Sequence, residues 1–182
     1  EIELGFLFCR QPIIAVTGTN GKSTTVSLIG HIFKSAGEEA VVCGNIGRPF
    51  CGEVEHLGPG GPVILEVSSF QLSRIDAFRP AVGIFLNIAD NHLDRHSCPA
   101  EYIGAKLNLF KNQTSSDWAV LNCEDINILK ITGLIKAKKV FYSPDYERFR
   151  PYQPINFASV YAERMFAEFG GRRLWIAGEA DL

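Results

Sequence analysis

Seven consecutive residues, Gly18, Thr19, Asn20, Gly21, Lys22, Ser23 and Thr24, put two glycines, one amine and three hydroxyls into a single short stretch. A glycine-rich turn exposes backbone N–H groups to an anion, and a helix starting there adds the positive end of its dipole. In such a loop Lys22 would reach the β- and γ-phosphates of a nucleotide, and the Ser23 hydroxyl would ligate Mg²⁺. The common phosphate loop places four residues between its first glycine and its Gly-Lys-Ser/Thr. Here only Thr19 and Asn20 separate Gly18 from Gly21. The shortened loop points away from an ordinary kinase or GTPase and toward a nucleotide site of another class.

Three further residues carry chemistry. Glu66 interrupts an otherwise apolar run, "VILEVSS". A carboxylate at the C-terminal end of a parallel strand lies where open α/β sheets bind ligands, and would suit a Mg²⁺ serving phosphoryl transfer. A strand-end glutamate facing water is the plainer alternative. In "NIADNHLDRH" His92 could bind metal, with Asp94 and Arg95 orienting the loop, or be a hydrogen-bonded loop histidine. On a helical wheel for residues 100–112, Lys106 falls near the middle of an apolar arc formed by Tyr102, Ile103, Leu107, Leu109 and Phe110. A charged amine on a packed face is costly unless it is paired, modified, or able to snorkel to the edge.

The elements around these residues alternate. "QPIIAVTG" reads as a buried parallel strand running into the loop. Residues 22–36 then place Val26, Ile29, Phe33 and Ala36 at helical spacing, with Leu28 and Ile32 widening the stripe and Gly37 closing the helix. The runs "EAVVCG", "GPVILEVSS", "PAVGIFLNI", "DWAVLNCED" and "AKKVFYS" read as further strands, and "PAEYIGAKLNLFKN" as a helix. The expected fold is α/β of P-loop type: a mainly parallel sheet flanked by helices. "SPDYERFRPYQP" reads as a loop, and the segment after it as a small antiparallel hairpin turning at Gly170-Gly171.

Composition sets the bounds. The chain has 182 residues, 46% apolar and 21% charged, with a net charge of −2, which suits one globular domain. That balance gives no reason to expect a nucleic-acid or membrane surface. Five scattered cysteines without a C-x-x-C pair read as reduced thiols in a cytoplasmic protein.

Taken together, "TGTNGKST", "GNIG", "LEVSSFQL", "NHLDRH" and "YIGAKLNLF" resemble the central ATP-binding domain of the Mur ligases, the amide-forming enzymes of peptidoglycan precursor synthesis. They run in that family's order and spacing from residue 12 to about residue 125, and "GNIG" with "EVSSFQL" looks most like its MurD, D-glutamate-adding type. The resemblance implies that Gly18, Thr19, Asn20, Gly21, Lys22, Ser23 and Thr24 wrap the ATP phosphates. It implies Mg²⁺ ligands at Ser23, Glu66 and His92, and contacts to the UDP-muramoyl substrate from Asn45, Ser68 and Gln71. It implies further that Lys106 is carried as a carbamate and helps hold a second Mg²⁺. With Lys22, Glu66, His92 and Lys106 at the reacting centre, ATP would phosphorylate the terminal carboxylate of UDP-N-acetylmuramoyl-L-alanine. The amine of D-glutamate would then attack the acyl phosphate. One departure is visible: Asn91 stands where the family usually has aspartate, which removes a negative charge near the metal.

The family has three domains, so residues 1–11 are expected to be a linker from an absent N-terminal UDP-binding domain and residues 12–182 the central domain. An absent C-terminal domain would bring the amino acid, and the chain would be inactive alone. Two other readings remain open: another superfamily member, such as a different Mur ligase or a folylpolyglutamate synthetase, and a non-catalytic nucleotide-binding module.

Overall fold

The computed structural model describes residues 1–58, 60–89 and 98–145, and beyond them the backbone of strands 156–161, 164–169 and 172–177. His92, Asn91, Asp94 and Arg95 lie outside the described residues. The elements are α1 (Ile2–Phe8), β1 (Ile13–Thr17), α2 (Lys22–Ser35), β2 (Val41–Gly44), α3 (Phe50–Val54), β3 (Val63–Glu66), α4 (Ser69–Leu72), β4 (Val82–Phe85), α5 (Pro99–Leu107), β5 (Trp118–Asn122), α6 (Ile126–Ile131), β6 (Lys138–Ser143), β7 (Asn156–Tyr161), β8 (Arg164–Phe169) and β9 (Arg172–Ala177).

The strands form one nine-stranded sheet in the order β2-β3-β1-β4-β5-β6-β7-β8-β9. Pairing is parallel from β2 through β7 and antiparallel from β7 to β9. The expected α/β sheet is therefore present. The antiparallel part has three strands, β7, β8 and β9, rather than the two of a single hairpin, and it extends the main sheet. From β1 the chain passes to one side of the sheet and then crosses to the other, so the C-terminal end of β1 lies at the topological switch point.

Alternation along the strands sends side chains to two cores. Ala15, Val63, Leu65, Phe85, Ala119 and Leu121 join Ile2, Phe50, Leu72, Leu109 and Ile128 from the helices of one face. Val16 and Ile64 pack on the other face against Val26, Ile29 and Phe33 of α2. The α2 stripe is narrower than its spacing suggests: Leu28 and Ile32 are 56% exposed and Ala36 also faces solvent. A fourteen-residue helix laid on four-residue strands has one row of contacts available to it.

The expected linker contains a docked helix. Ile2 and Gly5 of α1 are buried, and a Cβ on Gly5 would meet Phe50 Cδ1 at 2.5 Å. Phe6 packs edge-on against Phe78 at 5.6 Å between ring centroids. The Glu3 carboxylate accepts hydrogen bonds from the backbone N–H groups of Asp76 (2.9 Å), Ala77 (2.7 Å) and Phe78 (3.1 Å). Partial burial acts to raise the Glu3 pKa, but these three donors, with Lys111, outweigh it and hold the carboxyl below its ordinary value. Its stabilisation is present above the ordinary carboxylate pKa and is lost as pH falls through the depressed value. Glu3→Gln should cost about 1–2 kcal/mol at neutral pH, and the gap between variant and parent should close below about pH 4. Thermal melts at the two pH values test this; a gap that stays constant with pH would sink the assignment.

All five cysteines are free. Among the described residues no helix is long and apolar enough to cross a membrane.

Candidate functional site

The loop after β1 is held from both sides. Gly18 is buried, and a Cβ there would meet Leu86 Cβ at 2.9 Å, so the segment following β4 leaves room only for glycine. Gly21, in the left-handed region at φ 82°, is the N-cap of α2. The first intrahelical bond runs from Thr25 N–H to Gly21 O at 2.9 Å. That leaves the N–H groups of Gly21, Lys22, Ser23 and Thr24 without an intrahelical acceptor, at the positive end of a fourteen-residue helix. Such a terminus fits the oxygens of a polyphosphate.

Two amines converge on this loop. Lys22 Nζ donates to Gly18 O at 3.0 Å and to Thr19 O at 2.9 Å. Lys106 Nζ donates to the same Gly18 O at 2.9 Å, with Thr17 Oγ1 at 3.4 Å. Lys106 is only 2% exposed and its amine lies 4.7 Å from the centroid of the Tyr102 ring. Among the described ion pairs none involves Lys106. Burial, and after it the charge of Lys22, brings its pKa down from 10.5 to about 7. The helical-wheel expectation holds: the amine is interior, and it does not snorkel.

On the side of β3, Glu66 closes the strand at 2% exposure, which removes the alternative of a glutamate facing water. Its Oε2 accepts from Ser23 Oγ at 2.7 Å and its Oε1 from Asn45 Nδ2 at 2.8 Å. Asn45 is swung into reach by Gly44, whose φ of 107° is open chiefly to glycine and whose missing Cβ would overlap the Glu66 carbonyl. The Ser23 hydroxyl and the Glu66 carboxylate, side by side, offer hard oxygen donors of the kind Mg²⁺ takes. Among the described residues no three His, Cys, Asp or Glu side chains gather.

The structure thus brings Gly18 to Thr24, Asn45, Glu66 and Lys106 to the C-terminal ends of β1 and β3. Lys106 reaches the loop through Gly18 and Thr17 and makes no hydrogen bond to Ser23 or Glu66. Ser68 and Gln71 form a capping box on α4: Gln71 Oε1 accepts from Ser68 N and Oγ at 2.9 Å, and Gln71 Nε2 donates to Glu1 Oε2 at 2.7 Å. Three contributors were not anticipated. Asn87 binds the loop backbone, Tyr102 shares a 3.1 Å hydrogen bond with Thr19 Oγ1, and Ala89 N–H donates to that oxygen at 2.9 Å.

Residues 16–167 match the Mur ligase middle domain. The chain belongs to the Mur ligase family. This Mur ligase chain is 49% identical over 143 residues to a UDP-N-acetylmuramoylalanine–D-glutamate ligase of Pelotomaculum thermopropionicum, covering 79% of this chain and 31% of that protein. It is 46% identical over 143 residues to the same-named enzyme of Alkaliphilus metalliredigens, again covering 79% and 31%. The chain therefore spans about a third of the length of these relatives. In fold it is similar to the MurF ligase of Thermotoga maritima solved with ADP, at a TM-score of 0.64 and 16% identity, covering 97% of this chain and 43% of that one. It is similar too to a pseudomurein peptide ligase of Methanothermus fervidus, at 0.63 and 19%, covering 93% and 42%.

Proposed function

We propose that this Mur ligase chain is the ATP-binding centre of a cytoplasmic enzyme that joins D-glutamate to UDP-N-acetylmuramoyl-L-alanine in peptidoglycan precursor synthesis. The carrying observation is the convergence of Lys22 and Lys106 on one loop carbonyl beside the free N–H groups that open α2. The names of the relatives supply the substrates, and the remaining parts of a longer protein would bring the uridine and amino-acid contacts.

ATP would supply the phosphoryl group that activates the substrate carboxylate, and Mg²⁺ on the Ser23 and Glu66 oxygens would neutralise charge on the phosphates. The N–H groups of Gly21 to Thr24 fix the polyphosphate, and Lys22 exchanges its two loop carbonyls for phosphate oxygens. Glu66 presents its carboxylate with both oxygens already oriented by Ser23 and Asn45, so little reordering is needed when a cation arrives. Lys106, with a pKa of about 7, is in part a neutral amine at neutral pH, the form that adds CO₂ to give a carbamate and a proton; His92 would complete the metal shell. Asn45 lies beside Glu66, and Ser68 and Gln71 lie just past the end of β3, on the edge where the UDP-muramoyl substrate would enter.

The test is phosphate release by the full-length protein with UDP-N-acetylmuramoyl-L-alanine and D-glutamate, L-alanine or a diamino acid in parallel. Release confined to D-glutamate is expected. Release with another acceptor would move the protein elsewhere among the Mur ligases, and none with any acceptor would leave a nucleotide-binding module. Glu66→Gln, which keeps shape and loses charge, should raise the Mg²⁺ needed for half-maximal rate about tenfold or more. An unchanged Mg²⁺ requirement would take Glu66 out of the metal site.

A further inference from the structure

The loop is two residues short of the common form, and a neighbouring strand end holds the part that remains. Asn87, two residues past β4, meets the loop at four points. Its Oδ1 accepts from Asn20 N at 2.9 Å and from Thr19 N at 3.1 Å. Its Nδ2 donates to Asn20 O at 3.1 Å, and its backbone O accepts from Thr19 N at 3.0 Å. Asn87 stands on a fixed platform. Leu86 N–H donates to Thr17 O at 3.0 Å, and Leu86 O accepts from Asn122 Nδ2 at 2.9 Å and from the Tyr142 hydroxyl at 3.1 Å.

We infer that Asn87 is the positioning residue that holds the shortened loop in its phosphate-receiving shape, a role resting on the reading of the loop as a phosphate site. The bonds divide the labour of the loop. The N–H groups of Thr19 and Asn20 are committed to Asn87, so the phosphates draw on the N–H groups of Gly21 to Thr24 alone. The carbonyls of Gly18 and Thr19 turn to the lysines instead. Only a side chain with a donor and an acceptor on one planar group can satisfy Asn20 N and Asn20 O together, which admits asparagine and excludes aspartate and leucine at this reach. Held this way, the loop need not be ordered when a ligand binds, and that saving appears as affinity.

The test uses the full-length protein and its Asn87→Ala and Asn87→Leu variants, with inorganic tripolyphosphate and ATP as probes. Hydrogen–deuterium exchange should quicken about tenfold or more in the segment 18–21 while β1 stays protected. The Kd for tripolyphosphate and ATP should rise about tenfold or more, with the melting temperature near that of the parent. A Kd within about twofold of the parent would overturn the inference. So would weaker binding accompanied by equally faster exchange throughout β1 and β3, since that is general loosening. A parent that binds tripolyphosphate in an Asn87-dependent way but ligates no acceptor would remove the ligase reading and leave this one standing.

Discussion

Lys106→Met is expected to cut ligation sharply and to leave the fold as stable as before or more so. The parent amine is buried beside Tyr102 with a pKa of about 7. Below that value the folded chain holds a buried cation. Between about pH 7 and the ordinary lysine value the unfolded chain binds more protons than the folded one, so parental stability rises with pH across that window. Methionine fills similar space without a charge, and its variant should lose that rise. The Gly18 carbonyl keeps its bond from Lys22, so no orphaned acceptor is left there. Ligation should fall about a hundred- to a thousandfold, the scale of removing one group that stabilises developing charge. Denaturant unfolding at pH 7 and at pH 9.5, roughly one unit below the ordinary lysine value, reads the stability part. A Lys106→Met protein that ligates at the parental rate would refute the assignment. One that keeps the pH-dependent rise would show that the titrating group is elsewhere.

Lys22→Met should lose ligation on a similar scale, about a hundred- to a thousandfold, and should weaken ATP binding as well. Lys22 also acts on its neighbour: its charge is the second cause, after burial, of the lowered pKa at Lys106. With Lys22 neutralised, the Lys106 pKa should move up, and the pH at which stability begins to rise should move up with it. This second readout needs no activity, so it separates loss of a phosphate contact from collapse of the loop. An onset that does not move would mean the two amines are not electrostatically coupled, although Gly18 O accepts from both.

Local signals made most of this site legible. The loop advertises itself through residue type, and Lys106 through its place on an apolar arc, because both are read within one turn of backbone. Glu66 was visible as a carboxylate ending an apolar run. Asn87 was not: it sits in "FLNI" as one polar residue after a strand, and its worth comes from meeting a loop 67 residues earlier in the chain. The helix at residues 2–8 escaped for the same reason. It is held by Glu3 on amides near residue 77 and by Ile2 and Gly5 against the core, none of which a short amphipathic run announces. Leu28 and Ile32 erred in the opposite direction. Their spacing is that of a buried stripe, but α2 packs on Val16 and Ile64 through Val26, Ile29 and Phe33, and Leu28 and Ile32 stay exposed. The extra antiparallel strand was hidden because no glycine or proline marks the sequence between β7 and β8.

The order of strands bears on how this chain is made. β1, which ends in the glycine loop, leaves the ribosome before either of its neighbours, β3 and β4. Val16 pairs with Glu66 on one side and with Ile84 on the other. Some fifty residues must therefore be synthesised before β1 gains its first partner, and nearly seventy before it has both. Until then an apolar strand with two bare edges waits in the nascent chain, a state that invites pairing with other chains. β1 is thus an element whose early exposure chaperones would have reason to cover.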